Sequence, residues 1–139
     1  MNIRAAALSH LRARLATEGD LRKRLGIQPD GLTSRPTSSR VLASKVYPPE
    51  HSWTGRWSWW HQFSPDKLEG EGDLVLLCEA RSGQDFHSLA VPRRWLREHQ
   101  AELSFSDAQG KYNLFLSAVE DDLFAERRGQ GLDFSHWQV

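Results

Sequence analysis

The segment from Asp73 to Val91 constrains the fold of this chain more than any other. It holds the apolar run Leu74-Val75-Leu76-Leu77-Cys78, a turn signal at Gly83 and a second apolar stretch from Phe86 to Val91. Apolar stretches bounded by turn residues predict strands over 73–80 and 86–91, and their short separation makes an antiparallel hairpin the natural pairing. Alternation puts Asp73, Val75, Leu77, Glu79 and Arg81 on one face and Leu74, Leu76, Cys78 and Ala80 on the other.

The remaining elements are read around that hairpin. Ile3, Ala7, Leu11 and Leu15 recur every fourth residue, which predicts an amphipathic helix ended by Gly19. Asp20 then caps a short second helix, Leu21 to Leu25, that stops at Gly26. This pair has the outline of the start of a helix-turn-helix, but no third helix follows at the required spacing. Residues 28–52 are rich in Pro and Ser and read as a linker with one short extended piece from Val41 to Tyr47. Further on, Trp57 to Phe63 reads as extended, Ser64 to Leu68 as one capped helical turn, and Pro92 to Glu102 as a helix. Ser106 to Gly110 reads as a turn, Tyr112 to Ser117 as a third strand, and Asp121 to Arg127 as a short helix closed by Gly129 and Gly131. The order predicts an α+β fold: a small, mostly antiparallel sheet packed against helices on one side, with an N-terminal helical hairpin. The expected division is a hairpin over 1–27, a linker over 28–52 and a core domain over 53–139.

A chain of 139 residues can bury a real core without a disulfide or structural metal. Its one cysteine, Cys78, sits inside the apolar run, which suits a reducing compartment and a cytoplasmic protein. His10, Arg12 and Arg14 interrupt the first apolar stretch too early for a signal peptide, and no run approaches the ~20 apolar residues of a membrane span. Net charge is zero but uneven: residues 1–60 carry ten Lys or Arg against four acids, and residues 61–139 carry eight against fourteen. A neutral total argues against indiscriminate coating of nucleic acid, whereas the polarity permits one oriented basic face.

Tryptophan is the residue most out of proportion. Four of the six, Trp53, Trp57, Trp59 and Trp60, fall within eight residues, with Arg56 and His61 among them. Such rings suit stacking on bases beside phosphate-neutralising cations, or, equally, packing into a core. Arg93, Arg94 and Arg97 open the helix after Pro92, and Arg127 and Arg128 sit in the loop Glu126-Arg127-Arg128-Gly129-Gln130-Gly131; either set suits phosphate contact or a solvated surface.

Catalytic and metal readings find less support. Glu79-Ala80-Arg81 loosely matches the carboxylate-any residue-base element of restriction-type nucleases, but with arginine where lysine is usual. Asp73, its nearest partner on that face, would lie about 20 Å away along the strand, too far to share a cation. The histidines His51, His61, His87, His99 and His136 form no His-x-x-x-His pair, so zinc is not expected, and no cofactor is implied. His87 beside Ser88 lacks a nucleophile elbow or triad.

The reading the sequence favours is a non-catalytic nucleic-acid-binding domain, with DNA or an exposed base as ligand. Arg56, Arg93, Arg94, Arg97, Arg127 and Arg128 would engage phosphate, and Trp53, Trp57, Trp59, Trp60 and His61 would contact bases. The alternatives are a protein-interaction module in a homo- or hetero-oligomer and, third, a metal-dependent nuclease.

Overall fold

The repeat of Ile3, Ala7, Leu11 and Leu15 folds as expected. In a computed structural model, which describes residues 2–52, 55–119, 123–126 and 132–139, α1 spans Ile3–Thr17, with Ala7, Leu11 and Leu15 fully buried. The Asn2 side chain caps it by accepting from the Arg4 N–H at 2.9 Å. The turn that follows differs from expectation. Glu18, not Gly19, leaves the helical path, its N–H on the Arg14 carbonyl and its carboxylate on the Arg14 guanidinium, so Gly19 already belongs to α2 (Gly19–Leu25) and Asp20 lies in its first turn. Gly26 closes α2 at φ 65°, a conformation that favours glycine.

The Pro- and Ser-rich residues that follow are built into the fold. Pro29–Thr33 forms a 3₁₀ turn that buries Leu32, α3 spans Arg35–Ser38, and β1 (Val41–Ser44) joins a sheet. The remaining strands are β2 (Ser58–Phe63), β3 (Asp73–Glu79), β4 (Phe86–Pro92), β5 (Ser104–Ser106), β6 (Lys111–Val119) and β7 (Leu123–Glu126), with α4 (Arg93–Glu98) after β4. The apolar hairpin is present as β3 and β4, in antiparallel register from Asp73↔Pro92 to Glu79↔Phe86. β1 lies parallel to β3 on its other edge, Val41↔Val75 through Ser44↔Cys78.

The other strands form a second sheet. β6 pairs antiparallel with β2 along one edge and with β5 and β7 along the other. β5 was not expected, and Leu123–Glu126 is a strand where a helix over 121–127 was expected; residues 121, 122 and 127 lie outside the described residues. Leu, Ala and Glu favour helix locally, but the end of β6 offers a ladder that four residues complete, and pairing overrides propensity.

Both faces of β3 are therefore covered. Val75 and Leu77 pack with Ala7, Leu11, Leu15, Leu21 and Leu25 beneath the helices. Leu74, Leu76 and Cys78 face the second sheet, where Trp59, Phe63, Leu114, Leu116 and Phe134 complete a separate apolar cluster. The order is helices, first sheet, second sheet, an α+β domain with an N-terminal helix pair. No helix among the described residues is long and apolar enough to cross a membrane. The two sheets are stitched at one edge: Tyr47 and Ser58 exchange backbone hydrogen bonds of 2.8 and 3.1 Å, and the Ser44 hydroxyl accepts from the Trp60 N–H at 2.9 Å.

Candidate functional site

Strand parity decides which aromatic rings meet solvent. In β2 the residues Trp59, His61 and Phe63 point between the sheets, so Ser58, Trp60 and Gln62 point outward. The antiparallel register sets Trp60 opposite Phe115 and Gln62 opposite Asn113, on the same outer face. The Trp60 and Phe115 rings stack there, 5.9 Å between centroids and 3° from parallel. The indole N–H donates to Asn113 Oδ1 at 2.9 Å; Gln62 Nε2 donates to the same oxygen at 3.1 Å and to Gln109 Oε1 at 2.7 Å.

This stack forms a ridge between two hollows. One, of about 220 Å³, is lined by Tyr47, His51, Ser52, Ser58, Trp60 and Phe115. The other, of about 490 Å³, is lined by Trp60, Phe105, Gln109, Asn113 and Phe115 with the serines of β5. Trp60 is 41% exposed and borders both hollows; Phe105, 43% exposed, lies opposite Tyr112 in the ladder, on the inward parity, with its ring 4.8 Å from the Tyr112 ring. A cation flanks each side: Lys45 sits 5.0 Å from the centre of the Tyr47 ring, and exposed Lys111 shares the outward parity of Asn113 and Phe115.

The other residues expected to form a site lie elsewhere. Trp59 is 3% exposed, and its indole N–H donates to the Glu79 carbonyl at 2.8 Å. Trp57 is half-buried against the core between the sheets, with the Arg81 guanidinium 5.4 Å from its ring centre. His61 is buried with Nε2 3.3 Å from Cys78 Sγ and with no partner at Nδ1. Burial holds the His61 pKa down at about 3 and raises the Cys78 thiol well above its ordinary value. Arg56 is exposed in the turn before β2, whereas Trp53, Arg127 and Arg128 lie outside the described residues.

The arginines of α4 are occupied with the chain between Leu68 and Asp73. Arg97 donates to the Leu68 and Gly70 carbonyls at 2.7 and 2.8 Å, Arg93 donates to the Glu71 carbonyl, and Arg94 pairs with Glu98 on the surface at 3.2 Å. Gly70 and Gly72, at φ 94° and 85°, let the backbone close around these groups. A Cβ at Gly70 would stand 3.3 Å from Arg93, and one at Gly72 3.3 Å from Arg40. Trp57, Trp59, His61 and the arginines of α4 thus do not gather beside Trp60 on the outer face.

The carboxylates weighed for a nuclease are engaged as well. Asp73 is buried against Arg24, and Glu79 Oε1 accepts the Val46 N–H at 3.0 Å. Among the described residues no three His, Cys, Asp or Glu side chains gather as a metal site would require. Phe115, Asn113, Gln62, Gln109 and Phe105 were missed from the sequence; the signal lay in the parity of β2 and β6, which becomes readable only once their register is known. Comparisons with family models, curated proteins and solved structures give no match to this chain.

Proposed function

We propose that the chain binds single-stranded nucleic acid across the outer face of the second sheet. One observation carries the reading: the exposed Trp60 ring, stacked on Phe115, stands on the outer face between two hollows and beside a row of side-chain amides. Exposed rings on a sheet face give bases a stacking surface that requires no particular sequence, and the amides supply hydrogen bonds to base edges. Lys45 and Lys111 stand where the backbone of a strand laid over the ridge would pass, and a duplex keeps its bases inside the stack and away from such rings.

With Lys45 and Lys111 as the cations placed at the face among the described residues, electrostatics contributes little. The logarithm of affinity should fall against that of salt with a slope of roughly −1.4, which is the single-strand value for two neutralised phosphates. Removing one stacked ring costs about 1–3 kcal/mol, so Trp60→Ala should weaken binding of a labelled single-stranded oligonucleotide by roughly 5- to 150-fold in fluorescence anisotropy. Arg94→Ala, which alters an exposed ion pair away from the face, should leave it unchanged. Equal affinity of wild type and Trp60→Ala, or absence of binding at about 50 mM salt, contradicts the proposal.

A further inference from the structure

We infer that the amide row beside Trp60 selects bases whose edge reads acceptor–donor–acceptor, which among the common bases means thymine and uracil. This rests on the nucleic-acid reading above and goes beyond it by naming the ligand.

An indole N–H only donates, so the Asn113 amide must turn Oδ1 toward Trp60. The same oxygen then demands a donor from Gln62, which must present Nε2, and that Nε2 in turn requires Oε1 from Gln109. One donor-only group therefore fixes the orientation of three side chains that are otherwise free to flip. What remains unused is Asn113 Nδ2, Gln62 Oε1 and Gln109 Nε2, none of which has another partner among the described residues. In order along the row these are a donor, an acceptor and a donor. Asn113 and Gln109 line the hollow that Trp60 borders, and Gln62, which links them by hydrogen bonds, points to the same outer face beside it.

A base bound there meets that pattern with its Watson–Crick edge. Thymine and uracil offer O4, N3–H and O2, which complement all three groups. Cytosine offers an amino group, N3 and O2, so two of its three positions set donor against donor and acceptor against acceptor. Adenine places an amino group beside a bare ring nitrogen and has no carbonyl. Each mismatch leaves polar groups unpaired in a partly enclosed site.

The experiment measures anisotropy of labelled oligo(dT), oligo(dC) and oligo(dA) of equal length with wild type, Trp60→Phe and Asn113→Asp. Oligo(dC) is the decisive comparison, because oligo(dA) stacks on itself and would bind less well for that reason alone. Wild type should prefer oligo(dT) over oligo(dC) by roughly tenfold, the scale of one good base-edge contact pair. Trp60→Phe keeps a ring for stacking but removes the donor that orients the row, so binding persists and the preference falls toward unity. Asn113→Asp keeps both internal hydrogen bonds and loses the outward donor; its added charge weakens all three ligands, and the ratio again falls. Thermal melting of each variant establishes that it folds. Equal wild-type affinity for oligo(dT) and oligo(dC), or a preference that survives both substitutions, overturns the inference while leaving the binding surface intact. Failure of wild type to bind any of the three overturns the functional reading itself.

Discussion

At the scale of single residues, neighbouring positions in one strand have opposite fates. Trp59 and Trp60 are adjacent in sequence, yet one is sealed between the sheets with its N–H on a carbonyl and the other stands in solvent against Phe115. The next residue, His61, pays for its place in the core. Its folded-state pKa of about 3 lies below the ordinary 6.5, so between those values the unfolded chain binds the extra proton. The stability that a neutral His61 permits is therefore complete above pH 6.5 and is lost as pH falls toward 3. From pH 7 to pH 5 the expected loss from this residue is roughly 2 kcal/mol. Urea unfolding at the two pH values checks it: His61→Phe should lose less than wild type by about that amount, and identical losses in the two proteins would refute the assignment.

At the scale of elements, the parts most legible in the sequence were those whose pattern is local. The α1 stripe, the β3–β4 hairpin and the Gly26 stop follow from spacing alone, and the alternation of Val75 and Leu77 against Leu74, Leu76 and Cys78 correctly separated two apolar clusters. The extended piece expected from Val41 is present as β1, whereas β5 and β7 were hard to read for a common reason: each has three or four residues and exists because a longer strand offers an open edge. The candidate site was harder still. Trp60 was visible as one of four clustered indoles, but Phe115 and Asn113 lie more than fifty residues away, and only the β2–β6 register places them beside it. The loop before β3 carries its own test. Gly26 and Gly72 both have positive φ, but a Cβ at Gly26 meets nothing within 4 Å while one at Gly72 presses on Arg40. Gly26→Ala should cost about 1 kcal/mol from backbone strain, and Gly72→Ala measurably more, as read from urea midpoints. An equal or smaller cost at Gly72 would show that the guanidinium yields freely.

At the scale of the whole molecule, several of the arginines behind the uneven charge of the sequence are taken up by internal contacts. Arg14 binds Glu18, Arg24 binds Asp73, Arg40 donates to the Leu25 and Asp73 carbonyls, and Arg93 and Arg97 hold the loop over residues 68–71. These five side chains tie helices, loops and the first sheet together. The second sheet is left with an outer face that is aromatic and amide-rich, and this division of labour is what makes stacking, rather than phosphate attraction, the expected source of affinity.

The most direct measurement follows the indole N–H resonances of the protein during titration with single-stranded oligo(dT), the Trp60 signal being assigned by its loss in Trp60→Phe. Binding across the outer face requires that the Trp60 resonance shift strongly while that of Trp59, held on the Glu79 carbonyl in the core, stays in place. A Trp60 resonance that does not move at saturating oligonucleotide, or movement confined to other indoles, would contradict it.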